Sequence, residues 1–342
     1  MTVPIDKELK DLFALFSDKE PTDAELIDTG RSETDFRNAV IFTTADNDRL
    51  VIKLSDNDFT SPERIKIWRR TVKEYKALGY YSPEILCSRQ GDFPYVNFKG
   101  HRCIAYAEEY VKYHILEQRD DSAESIAESE EVTREKWIMT AKVAAKHFDY
   151  APFPSAYCLF DRFCPSDKTD EVTEQAQDWK KKADKLPEQF REQVERIWKL
   201  WQQNREKLEK VYHTLPSSVF QADLNTTNLL IDDDGHFAGV FDYNLCGKEV
   251  FLNYIFRENF ARDFETEIEK IKKVLKITAG HYEYSKEEKQ YALMLYRCLK
   301  PIRKDFEIEE LLNSGADNDK ISACLDSSEH YLTAEIELFD LL

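Results

Sequence analysis

Val219–Asp242 reads V-F-Q-A-D-L-N-T-T-N-L-L-I-D-D-D-G-H-F-A-G-V-F-D, and no other stretch of the chain says as much about its fold. Asp223 stands just past a short apolar run, and Asn228 follows five positions later. Leu229, Leu230 and Ile231 then read as a strand, and Asp233-Asp234-Gly235 as a hairpin turn, because glycine accepts the positive φ such turns need. The return strand, Phe237 to Phe241, delivers Asp242 at its end. Two strands therefore bracket a loop and bring one carboxylate, one amide and a second carboxylate together. Metal-assisted phosphoryl transfer needs that set: a carboxylate to orient an attacking hydroxyl, and an amide with a carboxylate to hold Mg²⁺ against phosphates.

The composition narrows the alternatives. A chain of 342 residues that is 42% hydrophobic and 33% charged can bury a sizeable core and suits two domains. Its net charge of −18 argues against nucleic-acid phosphate as a ligand, since counterion release needs clustered Lys and Arg. An acidic surface is compatible with a cationic small-molecule partner, although such surfaces commonly serve solubility alone. Seven cysteines without a C-x-x-C pair, and a charged N-terminus without an apolar core, read as reduced thiols in a cytoplasmic protein. No run of about 18 apolar residues predicts a membrane span. With nine glycines and no P-loop, dinucleotide or nucleophile-elbow pattern, three large enzyme classes lose support. Oligomeric state has no signature here.

Working outward toward the N-terminus, Leu9, Leu12, Phe13 and Phe16 at helical spacing predict an amphipathic helix over 4–17. Strands follow at 25–29, 39–44 and 50–54, then at 85–88, 95–98 and 102–107. Ser61-Pro62-Glu63 opens a helix, serine being a good N-cap and proline a good first residue. Lys53 sits inside the apolar strand L-V-I-K-L, where a lysine is ordinarily solvated at an open face. Residues 117–131 carry seven acids and one base, a solvated face or a mobile segment. Trp137–Phe148, the stretch 171–212 and residues 250–342 read as helices. His147 reads as structural.

The spacing from Asp223 to Asn228 equals that of the protein-kinase catalytic loop. The wording Q-A-D-L-N-T-T-N-L-L with V-F-D-Y resembles more closely the aminoglycoside phosphotransferase and choline kinase-like families. Their pattern is H-x-D-x-x-x-x-N followed by an apolar run into [IV]-D-[FWY]. Gln221 departs from it in place of the family histidine, and Asn253 stands where the family often has an aspartate. The resemblance covers nearly the whole chain. It implies an α+β, two-lobed protein kinase-like fold, with a small antiparallel-sheet lobe over 1–111 and a larger, mainly helical lobe over 112–342.

By the same resemblance Asp223 acts on an acceptor hydroxyl, and Asn228 and Asp242 bind Mg²⁺. Lys53, held by Glu74 of the helix after it, contacts the phosphates of ATP. Arg31 and Ser32 stand in the phosphate-covering loop, which has one glycine, Gly30, where protein kinases have three. The backbone at Glu109 and Val111 would hold adenine. The implied activity is ATP-dependent phosphorylation of a small-molecule hydroxyl; acceptors across these families include aminoglycosides, choline or ethanolamine, homoserine and sugars. The alternative is a kinase-fold nucleotide-binding protein without transfer activity that works through a partner. Neither the acceptor nor a choice between ATP and GTP can be read from these motifs.

Overall fold

Residues 37–44 alternate strictly, with Asn38, Val40, Phe42 and Thr44 buried and the residues between them half exposed. This period of two makes a strand with one face on a core and the other open. The computed structural model describes residues 2–30, 35–116, 130–261, 263–300, 305–315 and 317–340. Its first elements are α1 (Lys7–Ala14), β1 (Pro21–Asp28), β2 (Arg37–Thr44), β3 (Arg49–Ser55) and α2 (Pro62–Ala77). β4 (Ile85–Leu86), β5 (Tyr95–Phe98), β6 (His101–Glu109), β7 (His114–Ile115), α3 (Glu130–Ala144), α4 (Glu171–Ala183) and α5 (Arg191–Tyr212) follow. Next come β8 (Ser217–Phe220), β9 (Leu229–Ile231), β10 (Phe237–Val240) and β11 (Gly247–Val250). α6 (Phe251–Glu258), α7 (Phe264–Ala279), α8 (Lys286–Leu299), α9 (Asp305–Ser314) and α10 (Asn318–Thr333) end the chain. The fold class is α+β, an antiparallel sheet followed by a mostly helical region.

The chain divides into two compact units. The first takes Met1–Lys136 together with Cys164–Ser166 and Asp223–Cys246. The loop and hairpin of the deciding motif thus pack with the N-terminal sheet, although more than 100 residues separate them in sequence. That sheet is antiparallel in the order β1-β2-β3-β6-β4, with β5 also on β6, and a second small sheet runs β10-β9-β7. Leu9, Leu12 and Phe13 of α1 bury against Val40, Phe42, Ile52 and Leu54 on one face of the large sheet. The Phe13 and Phe42 rings lie 4.9 Å apart between centroids. α2 starts where the sequence predicts, with the Ser61 hydroxyl accepting from the Arg64 N–H and Pro62 in the first turn. Its buried side is Ile65, Trp68, Val72 and Tyr75, a stripe at helical spacing.

The second unit takes Trp137–Phe163, Asp167–Ala222 and Gly247–Leu342. Among its described residues the regular elements are helices and the β8–β11 ribbon, in which Gly247 pairs with Phe220 and Val250 with Ser217. β11 has no signature in the sequence. It is four residues long, carries Lys248 and Glu249, and begins at a glycine whose Cβ would lie 2.2 Å from the Pro154 carbonyl oxygen. Inside this unit Lys300 and Glu267, each 1% exposed, pair at 3.2 Å, and the Tyr296 hydroxyl also donates to Glu267. Glu249 is likewise buried and accepts from Tyr212 and Ser155. The His147 ring lies tilted against that of Tyr282 in this unit, 6.0 Å between centroids. None of the seven cysteines forms a disulfide. Among the described residues no helix is long and apolar enough to cross a membrane.

Candidate active site

The hairpin builds half the site. Asp232 closes the β9–β10 turn by accepting from the backbone N–H of Asp234 and of His236, and Gly235 supplies φ +85°. At the open end of the hairpin the Phe241 N–H donates to the Asn228 carbonyl at 3.2 Å. That bond holds the last residue before β9 beside the residue that precedes Asp242. Asp242 itself has φ +60°, a left-handed conformation that costs a non-glycine residue roughly 1 kcal/mol and turns the chain back on itself.

The loop before β9 is closed by its own side chains. The Asn228 amide Nδ2 donates to the Asp223 carbonyl at 3.1 Å, and Asn225 Nδ2 donates to Asp223 Oδ1 at 2.7 Å. Ala222, fully buried, takes φ +75° just ahead of Asp223. Gln221, in the family histidine's place, is also fully buried and is not without a partner. Asn253 donates to the Tyr157 carbonyl and the Tyr212 hydroxyl, a bracing role within the second unit.

Lys53 supplies the other half. It lies opposite Ala39 of β2 and Tyr106 of β6, on the face of the sheet away from α1. Its Nζ is 3.0 Å from Asp242 Oδ1 and 3.0 Å from Glu108 Oε2. Burial works against the ammonium, but Asp242 and Glu108 outweigh it and hold Lys53 charged well above the ordinary lysine range. One lysine cannot neutralise two carboxylates. The more enclosed one, Glu108, is accordingly pushed above the usual carboxylate range by burial, with Lys53 pulling it back. Asn244 Nδ2 donates to Asp242 Oδ2 at 3.2 Å, so both oxygens of Asp242 are oriented. A cleft of about 180 Å³ opens among Thr29, Arg37, Lys53, Asp223, Asp242 and Asn244.

The carboxylate that holds Lys53 differs from the sequence expectation. Glu74 lies off the buried stripe of α2 and sits 3.7 Å from Arg70, one turn back on the same helix. Glu108 takes the place beside Lys53 because β6 pairs with β3 in the register Lys53↔Tyr106, Val51↔Glu108. Glu108 is then a diagonal cross-strand neighbour of Lys53 on the same face. Sequence reasoning missed it, along with Asn244 and Arg37; only strand register would have exposed the first. Glu109 ends β6, and its N–H and carboxylate exchange bonds with the backbone of Glu84. Val111 follows, half-buried, beyond a Tyr110 ring covered by the Arg49 guanidinium at 3.6 Å. Arg31 and Ser32 lie outside the described residues.

A lysine fixed on an antiparallel sheet, facing a loop aspartate and an amide–carboxylate pair at a hairpin mouth, defines a phosphotransferase of the kinase class. Residues 31–251, more than half of the chain, match the family described as "Phosphotransferase enzyme family". The chain belongs to that family. Its fold is also that of several solved kinases. A microcompartment-associated aminopropanol kinase is 13% identical, with 94% of each chain covered and a TM-score of 0.53. An amicoumacin kinase in complex with AMP-PNP and Ca²⁺ is 13% identical over 94% of this chain and 91% of its own, at TM-score 0.52. A spectinomycin phosphotransferase in complex with ADP and its antibiotic is 11% identical over 96% and 94%, also at 0.52. No curated protein sequence matches.

Proposed function

We propose that this chain transfers the γ-phosphate of ATP to a hydroxyl of a small, cationic molecule, with Mg²⁺ as the metal. The observation that carries the proposal is the convergence of Lys53, Glu108 and Asp242 at 3.0 Å contacts, with Lys53 and Asp242 lining one cleft with Asp223. Asn228 and Asp242 suit a hard cation, because both offer oxygen. The Asn228 amide nitrogen is spent on the Asp223 carbonyl, which leaves its oxygen for the metal. When bound, the metal supplies charge against the phosphates.

The remaining work falls to the chain. Lys53, kept in place by Glu108, reaches the α- and β-phosphates. Asp223, oriented by Asn225, accepts the hydroxyl proton as the acceptor oxygen bonds to the γ-phosphorus and the bond to the β,γ-bridging oxygen breaks, releasing ADP. The backbone at Glu109 and Val111 holds the base, and Arg31 and Ser32 cover the phosphates. Nucleotide groups come from residues 1–111, and the acceptor pocket is drawn from residues 112–342. The fold relatives named above are kinases of an aminopropanol and of antibiotics, which supports a small-molecule acceptor. The net charge of −18 supports a cationic one.

The test is a thermal-shift titration with MgATP. Wild type should gain stability with ligand concentration, Asp242→Ala should lose the metal-dependent part, and Asp223→Asn should still shift. ATP turnover in Asp223→Asn should fall by about 10²–10⁴-fold in the presence of an acceptor found by screening. A wild type that does not shift at millimolar MgATP overturns the proposal.

A further inference from the structure

Arg37 faces the same cleft as Lys53, and no motif points to it. In the β2–β3 ladder Arg37 lies opposite Ser55 and Ala39 opposite Lys53. Side chains two residues apart share a face, so Arg37 and Lys53 are diagonal neighbours, with Cα atoms about 7–8 Å apart. Asn38, between Arg37 and Ala39, is buried, as is Val40. The Arg37 guanidinium is already aimed: its Nε and Nη2 donate to Asp35 Oδ2 at 3.0 and 2.6 Å, and the side chain is only 15% exposed. Asp35 does not use Nη1. A guanidinium gripped along one edge presents its other edge in a fixed direction, with little rotamer freedom left to lose on binding.

The surroundings say what that edge is for. The cleft holds Asp223 and Asp242, so a second cation beside Lys53 adds charge matched to an anion there. The segment 28–38, which leads into β2, has a single glycine, Gly30. That glycine is itself tightly packed, since a Cβ would lie 2.4 Å from the Asp35 carbonyl oxygen.

We infer that Arg37, oriented by Asp35, is a phosphate-binding residue of the nucleotide site and grips the terminal phosphates that Lys53 does not reach. This rests on the nucleotide reading of the cleft and adds a residue to it. Arg37 thereby does with one planar side chain what backbone amides do in a glycine-rich loop.

Calorimetric titration of wild type, Arg37→Ala, Arg37→Gln and Arg37→Lys with ATP, ADP and AMP, each with Mg²⁺, tests it. Losing a charge-assisted contact should weaken ATP binding by about 10- to 100-fold in the Ala and Gln variants. AMP binding should stay within about twofold, and Lys should restore part of the loss. A merely structural arginine would weaken all three nucleotides alike, and that outcome overturns the assignment. Equal ATP affinity in wild type and Arg37→Gln overturns it too, while leaving the nucleotide site standing. Absence of ATP binding by wild type overturns both. Arg37→Gln keeps a polar stem of similar bulk and carries the comparison if the Ala variant does not fold.

Discussion

Replacing Glu108 by Gln tests which carboxylate holds Lys53. The Lys53 ammonium touches Glu108 and Asp242, each at 3.0 Å, with side-chain exposures of 20% for Lys53, 6% for Glu108 and 30% for Asp242. Breaking a buried pair outright costs about 3–5 kcal/mol, because a charge is left without compensation. Here Asp242 remains as a partner and Gln still offers an oxygen, so the loss of stability should be about 1–2 kcal/mol. Nucleotide binding should suffer more. Once a cation engages Asp242, Glu108 is the anchor left for Lys53, and losing it should cost about 2–3 kcal/mol of MgATP affinity, roughly 30- to 150-fold in Kd. Calorimetric titration of wild type, Glu108→Gln and Glu74→Gln reads this directly, with urea melts for stability. Glu74→Gln should bind MgATP as wild type does, since Glu74 faces Arg70. If Glu74→Gln loses affinity by that factor and Glu108→Gln does not, the strand register argument is wrong.

Two further outcomes concern the scaffold. Gly239→Ala should destabilise the protein by more than about 3 kcal/mol, because the added Cβ would lie 1.9 Å from the Tyr81 carbonyl oxygen. The Tyr81 backbone bonds on both sides of that glycine, to Ala238 and Val240, so neither chain can retreat. Gly91→Ala meets nothing within 4 Å at φ +87° and should cost only about 1–2 kcal/mol, so equal losses in urea melts would refute the close-approach argument. Glu249 gives a pH prediction. Burial raises its pKa above 4.5, with Tyr212, Asn253, the Val250 N–H and Ser155 pulling it back. The folded state therefore holds this proton more tightly than the unfolded chain. Its contribution is full below about pH 4.5 and declines as pH rises through the folded pKa. Glu249→Gln cannot titrate, so its melting midpoint should fall less steeply with pH from 4.5 upward; identical slopes would argue that Glu249 is not the group responsible.

Much of the candidate site's backbone geometry was legible because it is local. Asp223, Asn228 and Asp242 lie within 20 residues, and the hairpin between them is dictated by glycine at a positive-φ turn and by short apolar strands. Lys53 was legible as an oddity, a charge within an apolar strand. The α2 cap was readable from Ser61 and Pro62 for the same local reason. The α+β class was implied by the resemblance of these motifs to a phosphotransferase family, with strands read ahead of helices.

What surrounds Lys53 was not legible, because it depends on contacts between strands far apart in sequence. A shift of one residue in the β3–β6 register would turn Glu108 to the other face and bring Glu109 into its place. The sequence E-E at 108–109 reads the same either way. Arg37 was hidden likewise, since its face is set by the pairing of β2 with β3. β11 was hidden because its partner β8 lies more than 25 residues upstream and its own four residues carry no period. Amino-acid order alone therefore determined the Asp223–Asn228 loop, the hairpin and the order of elements, where each residue's neighbours are its neighbours in sequence. Tertiary structure decided which charges meet across the sheet, because register is settled by burying one whole face and not by the residues that then confront each other in the cleft.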